Sequence, residues 1–485
     1  MRTFSRPRRF DRNLVVIGAG SAGLVCAYIA AAVRAGVTLI EADKMGGDCL
    51  NTGCVPSKAL IRSARFLARA ASARELGFAR VSVDFDFADV MERVRRVVAA
   101  VAPHDSVERY TALGVDCVQG RAHITSPWSV EVNDHPVTAR NIIVAAGARP
   151  LVPPLPGLEE TGYLTSDSIW DLRSLPPRLA VLGGGPVGCE LAQCFARFGS
   201  RVTQVELLPR LLPGEDPDVS ALVEERFRAE GMRLLTGYRA TAVRRDKDRK
   251  FLVCERDGHV EEIEFDKLLV AVGRKANTEG YGLEEVGVSL NRNGTIATDD
   301  CLRTTCPSLY ACGDVTGPYQ FTHTAAHQAW YATVNALFGP FRRFKVDYSV
   351  IPLATFTEPE VARVGLNELE AERLGVACEV TRYDMRELDR AIADGAAGGM
   401  VKVLTVPGRD RILGATIVGE HAADVITEYV SAMRHGFGMN RILGTIHIYP
   451  TLAEANKFAA GEWKRAHAPA GLLKLVERFQ RWRRG

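Results

Sequence analysis

No apolar run in this sequence of 485 residues reaches the eighteen or so positions that a membrane-spanning helix needs. A strong charge of one sign is also missing. The formal net charge of +3 is too small to make nucleic acid the main partner. The 10 histidines show no metal-binding spacing such as His-Glu-x-x-His. Cysteine is not dense. Eleven in a chain of this length do not make the disulfide framework of a small secreted domain, and they read as reduced, mostly buried thiols. The basic stretch Met1–Arg12 has no apolar signal core. Together these absences point to a reducing compartment, with the cytoplasm as the expected location. Hydrophobic content of 47% and charged content of 25% are ordinary for a chain with a real core, and the length suits about three domains.

Two stretches share one design. Leu14 to Gly18 is a short apolar strand that runs into glycines; Ser21 to Ala35 is an alanine-rich helix; Val37 to Ile40 is a strand ending at Glu41. About 165 residues later, Arg178 to Gly183, Val187 to Phe198 and Arg201 to Val205, followed by Glu206, repeat it. This is a duplication of architecture, not a short-period repeat. In each, three glycines (Gly18, Gly20, Gly23 and Gly183, Gly185, Gly188) stand between strand and helix. The first allows the turn, the second lets a pyrophosphate approach the backbone, and the third lets the helix pack on the strand. The helix N-terminus then offers N–H groups and positive dipole to the phosphates. Glu41 and Glu206 sit where a carboxylate accepts from ribose hydroxyls. Glu206 favours NADH, because it would repel a 2′-phosphate; Arg210, four residues on, works against that preference. One such site for a flavin and one for its reductant make a single electron path.

The strands ending at Gly147 and near Gly273 read as places where the chain crosses between domains, and Pro150 to Gly157 as a linker. From about Tyr348 the pattern changes to a third, α+β domain. The tail from Leu472 to Arg484 puts Leu472, Leu475, Val476, Phe479 and Trp482 on one helical face and Arg478, Arg481, Arg483 and Arg484 on its other surface. The expected use of that face is packing on the body of the protein or on a partner subunit. Contact with a membrane surface is the weaker alternative.

Cys49 and Cys54 lie in Gly46-Gly-Asp-Cys-Leu-Asn-Thr-Gly-Cys-Val-Pro-Ser-Lys58. Five residues of regular helix rise roughly 7.5 Å, whereas bridged cysteines need Cα atoms within about 7 Å. A bridge here therefore requires a distorted helix, which Gly53 eases, and a strained bridge is easily reduced.

The sequence resembles the pyridine nucleotide–disulfide oxidoreductases, a family that includes dihydrolipoamide dehydrogenase, glutathione reductase and mercuric reductase. The motifs run in family order from about Asn13 to about Gly461: the first glycine fingerprint, Cys-x4-Cys-x-Pro-Ser-Lys, Ala146-Gly147, the second fingerprint, Val272-Gly273-Arg274 and Ala311-Cys-Gly-Asp314. The resemblance implies an α/β protein with two Rossmann-like domains, for FAD and NAD, and a C-terminal α+β dimerisation domain. Expected boundaries are 1–150 and 273–347 for the two parts of the FAD domain, 151–272 for the NAD(P) domain, 348–466 for the interface domain and 467–485 for the tail. It implies that Asp314, at the start of a helix running through His323 and Ala329, bonds the flavin ribityl chain. It places Lys58 near the flavin, paired with Glu190, where the nicotinamide docks. Cys54 matches the thiolate that contacts the flavin and Cys49 the thiol that attacks substrate. Phe356 to Gly365 resembles the opening of the dimerisation domain, which implies a homodimer whose subunits complete each other's sites.

One stretch departs from the disulfide reductases. Where they carry an acid–base His oriented by a Glu, this chain has His447-Ile-Tyr449-Pro-Thr-Leu-Ala-Glu454. Glu454 is in place, but Tyr449 holds the His position, and a phenol is a poor base at neutral pH. His447 is expected to be structural. Mercuric reductases carry a tyrosine there, and thiolates suit soft metal ions. They also carry a C-terminal cysteine pair, and no cysteine follows Cys378; nor does a metal-binding domain precede the first fingerprint. The leading expectation is an NADH- and FAD-dependent reductase, mercuric-reductase-like, with its acceptor open. The alternatives are a dihydrolipoamide dehydrogenase and, in another class, a redox-sensing or membrane-docked accessory flavoprotein.

Overall fold

Leu14, Val15, Val16 and Ile17 are buried side by side, on both faces of their strand. A strand so placed must be covered above and below, as in a parallel sheet with helices on its faces. The computed structural model describes residues 4–485 and has this arrangement. Met1–Thr3, the beginning of the basic stretch, lie outside the described residues. The strand Arg12–Ile17 pairs in parallel with Val37–Glu41 on one side and His135–Val144 on the other, and Asp116–Gln119 and Leu309–Ala311 extend the sheet, also in parallel. Ser129–Val132 and Ala122–Ser126 add an antiparallel meander to the far half of the long strand.

The helix Ser21–Ala32 buries almost only small side chains: Ala22, Gly23, Cys26, Ala27 and Ala30. The helix Thr322–Phe338 answers with Ala325, Ala329, Ala332 and Ala336 in the same core. Small residues on both surfaces let the two helices approach closely. The sulfur of Cys26 lies 3.7 Å from the carbonyl oxygen of Ala329.

A second parallel sheet has the strand order Arg233–Thr236, Arg201–Glu206, Arg178–Leu182, Lys267–Val270. Three antiparallel strands from Arg239 to Phe265 form a separate sheet beside it. The two crossings anticipated near Gly147 and Gly273 pair with each other, as Ala148–Pro150 against Arg274–Ala276. These elements make one of two units, Met1–Ala71, Ser82–Leu207 and Met232–Asp347.

The other unit comprises Ser72–Val81, Leu208–Gly231 and Tyr348–Gly485. It is built on a five-stranded antiparallel sheet, Pro352–Thr355, Glu360–Gly365, Ile412–Gly419, Met400–Thr405 and Glu379–Asp384 in spatial order. Val401, Val403, Ala415 and Ile417 share its core with Tyr429, Ala455, Ala459 and Trp463 from two helices. Lys402 is fully buried and reaches Asp216 at 2.9 Å, Asp218 at 2.5 Å and Glu368 at 2.8 Å. That ammonium sits in the one grouping of three or more acidic, histidine or cysteine side chains among the described residues that is tight enough for a metal ion.

The tail forms the expected helix, Ala470–Arg484. It does not pack on the body of the chain: residues 471–485 are exposed throughout. Pro469 immediately precedes it and breaks continuity with the helix Glu454–Ala466. No described helix is long and apolar enough to cross a membrane.

Candidate active site

Each glycine fingerprint is used as steric reasoning requires. Gly18 has φ +100°, and a Cβ there would lie 2.4 Å from the carbonyl oxygen of Ala145. A Cβ on Gly23 would come within 1.7 Å of the Gly18 carbonyl oxygen. At Gly20 the nearest atom would be 3.8 Å away, so this glycine is small for something other than the protein. The second fingerprint repeats the pattern: Gly183 and Gly188 are each blocked by backbone oxygens at 2.3 Å, and Gly185 faces open space. Neither following helix has a side-chain cap, which leaves its first N–H groups for an anion. Glu41 accepts from the Ala19 N–H at 2.6 Å, and Glu206 from the Gly184 N–H at 2.5 Å. Each acid thus sits over its own glycine loop. Gly147 (φ +67°) and Gly273 (φ +130°) also face open space.

The cysteine segment is a broken helix. Gly47–Asn51 forms one turn, and Cys54–Ala71 starts again after Thr52 and Gly53. At the break, the N–H groups of Thr52 and Gly53 both turn to the Asp48 carbonyl, at 2.8 and 2.7 Å. The Thr52 carbonyl, freed from the helix, accepts from the Trp170 indole N–H at 2.8 Å, a donor it shares with the Ser166 carbonyl at 2.6 Å. The distortion anticipated from the spacing is therefore present and held from outside. The segment is also tied to the first glycine loop. The Gly46 N–H donates to the Ala19 carbonyl at 2.9 Å, and a Cβ on Gly47 would lie 2.6 Å from Gly20 Cα.

Cys49 and Cys54 stand as interacting thiols, Cys49 half-buried and Cys54 exposed. Cys54 is lowered to about 6. The Cys49 hydrogen bond is the largest cause; burial opposes it, and the Thr322 hydroxyl at 3.5 Å and the Lys58 ammonium assist. Cys49 is pushed far up, by donating to Cys54 and by burial. The pair is therefore polarised into one thiolate and one thiol. On the reduced protein, alkylation of Cys54 by iodoacetamide is expected to rise as pH passes upward through about 6, because the lowered thiol is deprotonated above that value. A midpoint near the ordinary thiol value of about 8.5 would contradict this reading.

Lys58, one turn beyond Cys54, bonds Glu190 at 2.8 Å. Glu190 is 6% exposed and lies on the helix that follows the second fingerprint. The ion pair thus joins the cysteine helix to the second nucleotide fold. Arg274 reaches Asp48 at 2.9 Å and lies 3.7 Å from Asp314. Burial raises Asp314, with Arg274 opposing and Asp48 adding to the rise. Asp314 does not start a helix, as was expected. It follows the strand Leu309–Ala311 through Gly313 (φ +80°), and the helix begins only at Thr322. Pro318 intervenes, and the residue before a proline is held away from helical geometry.

The stretch that departs from the disulfide reductases belongs to the second unit. Tyr449 is 67% exposed, and its hydroxyl donates to Asp389 at 3.1 Å. That bond and the Asp389 charge raise the phenol above its ordinary value. Glu454 is buried and accepts from the Thr451 N–H at 3.2 Å. His447 is held between Glu428, 3.0 Å from Nε2, and the Thr445 carbonyl, 3.0 Å from Nδ1. Glu428 in turn accepts from Asn456 at 2.9 Å.

The family described as pyridine nucleotide-disulphide oxidoreductase matches residues 12–329, and its dimerisation domain matches residues 351–460. The chain belongs to the pyridine nucleotide-disulphide oxidoreductases. Among curated relatives of this oxidoreductase, a dihydrolipoyl dehydrogenase of Chlamydia muridarum is 35% identical over 91% of this chain and 94% of its own. A mercuric reductase of Streptomyces lividans is also 35% identical, over 92% and 95%. LpdA of Mycobacterium tuberculosis superimposes with a TM-score of 0.84 at 28% identity, covering 93% of this chain and 99% of that one. The HOCl-induced flavoprotein disulfide reductase RclA of Escherichia coli, solved as a Cu(II) complex, gives 0.82 at 27%, over 92% and 98%.

The oxidoreductase is FAD-dependent and takes electrons from NAD(P)H. Its residues fit both groups: each loop has one glycine with no close contact at its Cβ position, an uncapped helix N-terminus and an overlying carboxylate. Several neighbours of the site carry no signal in the sequence pattern. Thr322 and Trp170 reach it only through tertiary structure, and Asp389 reaches Tyr449 in the same way. Arg274 and Asp48 stand inside recognised motifs, but their pairing does not follow from spacing.

Proposed function

We propose that the protein is an NADH-dependent flavoprotein reductase in which the Cys49–Cys54 pair takes up two electrons and hands them to a thiophilic metal ion. FAD, when bound, supplies the two-electron relay between the nicotinamide and the cysteine disulfide. The observation that carries this reading is the pairing of a low-pKa Cys54 thiolate with an acid–base position held by a phenol. Tyr449 is bonded to Asp389 and raised, so it does not take a proton from a thiol near neutral pH. Dithiol–disulfide exchange needs such a base. Reduction of a metal ion held between two thiolates needs oxygen and sulfur donors instead.

The assignments follow from that chemistry. The nicotinamide gives up two electrons and one proton. The S–S bond of Cys49 and Cys54 breaks as it accepts the electrons and leaves a thiol and a thiolate; Lys58, held by Glu190, favours the charged form. A divalent soft cation displaces the remaining proton, binds both sulfurs and leaves with both electrons as the disulfide re-forms; a one-electron acceptor such as Cu²⁺ is consumed two ions per disulfide. Glu206 selects NADH over NADPH by accepting from the 2′-hydroxyl. Gly18, Gly20, Gly23, Glu41, Gly147 and Asp314 belong to the FAD site, and Gly183, Gly185, Gly188 and Gly273 to the nicotinamide site. Tyr449 and Glu454 complete the centre from the partner subunit of a homodimer. The mercuric reductases among its relatives and the Cu(II) complex of RclA support a metal acceptor.

The test is an anaerobic titration with NADH, then a panel of Hg²⁺, Cu²⁺, lipoamide, glutathione disulfide and quinone. Wild type is expected to turn over the metal ions and to leave lipoamide nearly untouched. Tyr449→His is expected to raise lipoamide turnover by about 10²-fold, the scale of one positioned general base. Lipoamide turnover by wild type at or above the rate with metal ions would overturn the proposal in favour of a dihydrolipoyl dehydrogenase.

A further inference from the structure

We infer that the helix Ala470–Arg484 docks the protein onto the surface of an anionic lipid bilayer. At 100° per residue, Leu472, Leu475, Val476, Phe479 and Trp482 fall within one arc of about 120°. Every one of them is exposed, Leu475 to 62%, Phe479 to 51% and Trp482 to 76%. Lys474, Arg478 and Arg481 lie on the opposite side, with Arg478 next to Trp482 at one border of the apolar arc. Arg483, expected on the basic surface, falls instead inside the other border of the apolar arc, and its guanidinium lies 5.9 Å from the centre of the Phe479 ring. A helix with an apolar stripe rich in aromatics and basic residues along its edges is built to lie in the headgroup region, where the rings sit at the acyl boundary and long basic side chains reach outward.

Charge identifies the occupant. The helix carries five basic residues, and its one acidic residue, Glu477, is already paired with Arg481. That excess is larger than the net +3 of the whole chain, so the rest of the sequence is slightly acidic and the attraction is local to this helix. A second copy of the same face would bring Arg478 and Arg483 against like charges and would bury Arg483 in an apolar contact. Headgroup phosphates satisfy both. Spanning is excluded, because 15 helical residues with five basic side chains are too short and too polar.

The experiment is flotation of the full-length holoprotein with vesicles of phosphatidylcholine alone, or of phosphatidylcholine with a minor fraction of phosphatidylglycerol. Binding is expected to the anionic vesicles only, and to weaken as salt rises. Each basic residue removed, in the series Arg478→Gln, Arg481→Gln, Arg483→Gln, is expected to weaken binding roughly five-fold. Leu475→Glu with Phe479→Glu abolishes it while NADH-dependent turnover of a soluble acceptor stays unchanged, since neither residue belongs to the site. Three results would overturn the inference: no binding to anionic vesicles, equal binding by the double variant, or light scattering in which the double variant falls to a smaller oligomer, which would show that a second copy covers this face.

Discussion

Cys54→Ser is expected to lower NADH-dependent reduction of every thiophilic acceptor by about 10³-fold or more, the scale of losing a catalytic nucleophile. Serine keeps the size and the Thr322 contact but cannot hold a thiolate near neutral pH. Cofactor content should not change, because the substitution exchanges one sulfur for an oxygen at a position outside both glycine loops. Cys49→Ala separates the two roles. It also stops turnover, but it leaves a thiol at position 54 without the neighbour that lowers it most. In that variant the alkylation midpoint of Cys54 is expected to move up from about 6. Steady-state turnover and a pH series of alkylation on the two variants measure both effects. A Cys54→Ser protein with near-normal turnover would remove the cysteine pair from the electron path.

The second large effect lies in a glycine. Gly23→Ala places a methyl group 1.7 Å from the Gly18 carbonyl oxygen, which is backbone and cannot swing aside. The helix must move away from the loop, at a cost of about 1–3 kcal/mol or more. That displacement also spoils the anion site, so purified protein is expected to carry little FAD and to unfold at a lower temperature. Gly185→Ala is the contrast. No protein atom lies within 4 Å of its Cβ, so stability and FAD content should match wild type, and the methyl group should be felt only as a raised KM for the nicotinamide. Absorbance of bound flavin, thermal unfolding and NADH kinetics distinguish the two. Equal FAD content in Gly23→Ala and wild type would refute the steric argument.

The glycine substitutions also show what the sequence makes legible. Both nucleotide folds are readable because each constraint is local: a strand, a turn with no room for Cβ, a helix and an acid follow in a fixed order over a short stretch. The helix break at Thr52 is readable for the same reason, from the five-residue separation of Cys49 and Cys54 set against helix rise. What holds the break is not. Trp170 lies 118 residues away from Thr52 in sequence, and no periodicity links them. Asp389 is 60 residues from Tyr449, and until that bond is seen the tyrosine is only a missing histidine. Asp314 stands ahead of its helix rather than at its start, because Pro318 keeps the intervening chain out of helical geometry. The tail's amphipathic face is plain from its spacing, but whether anything covers it is a tertiary fact, and among the described residues nothing does.

The hydrogen bond from Gly46 to Ala19 and the close approach of Gly47 to Gly20 set a limit on portability. The cysteine segment borrows its shape from the first glycine loop, so it is not a cartridge that can be moved alone. Transplanted into another scaffold, Cys49 to Lys58 would relax toward an ordinary helix and its sulfurs would separate. The smallest piece that keeps the bend runs from Gly18 to Lys58, and it still needs an indole from elsewhere to hold it.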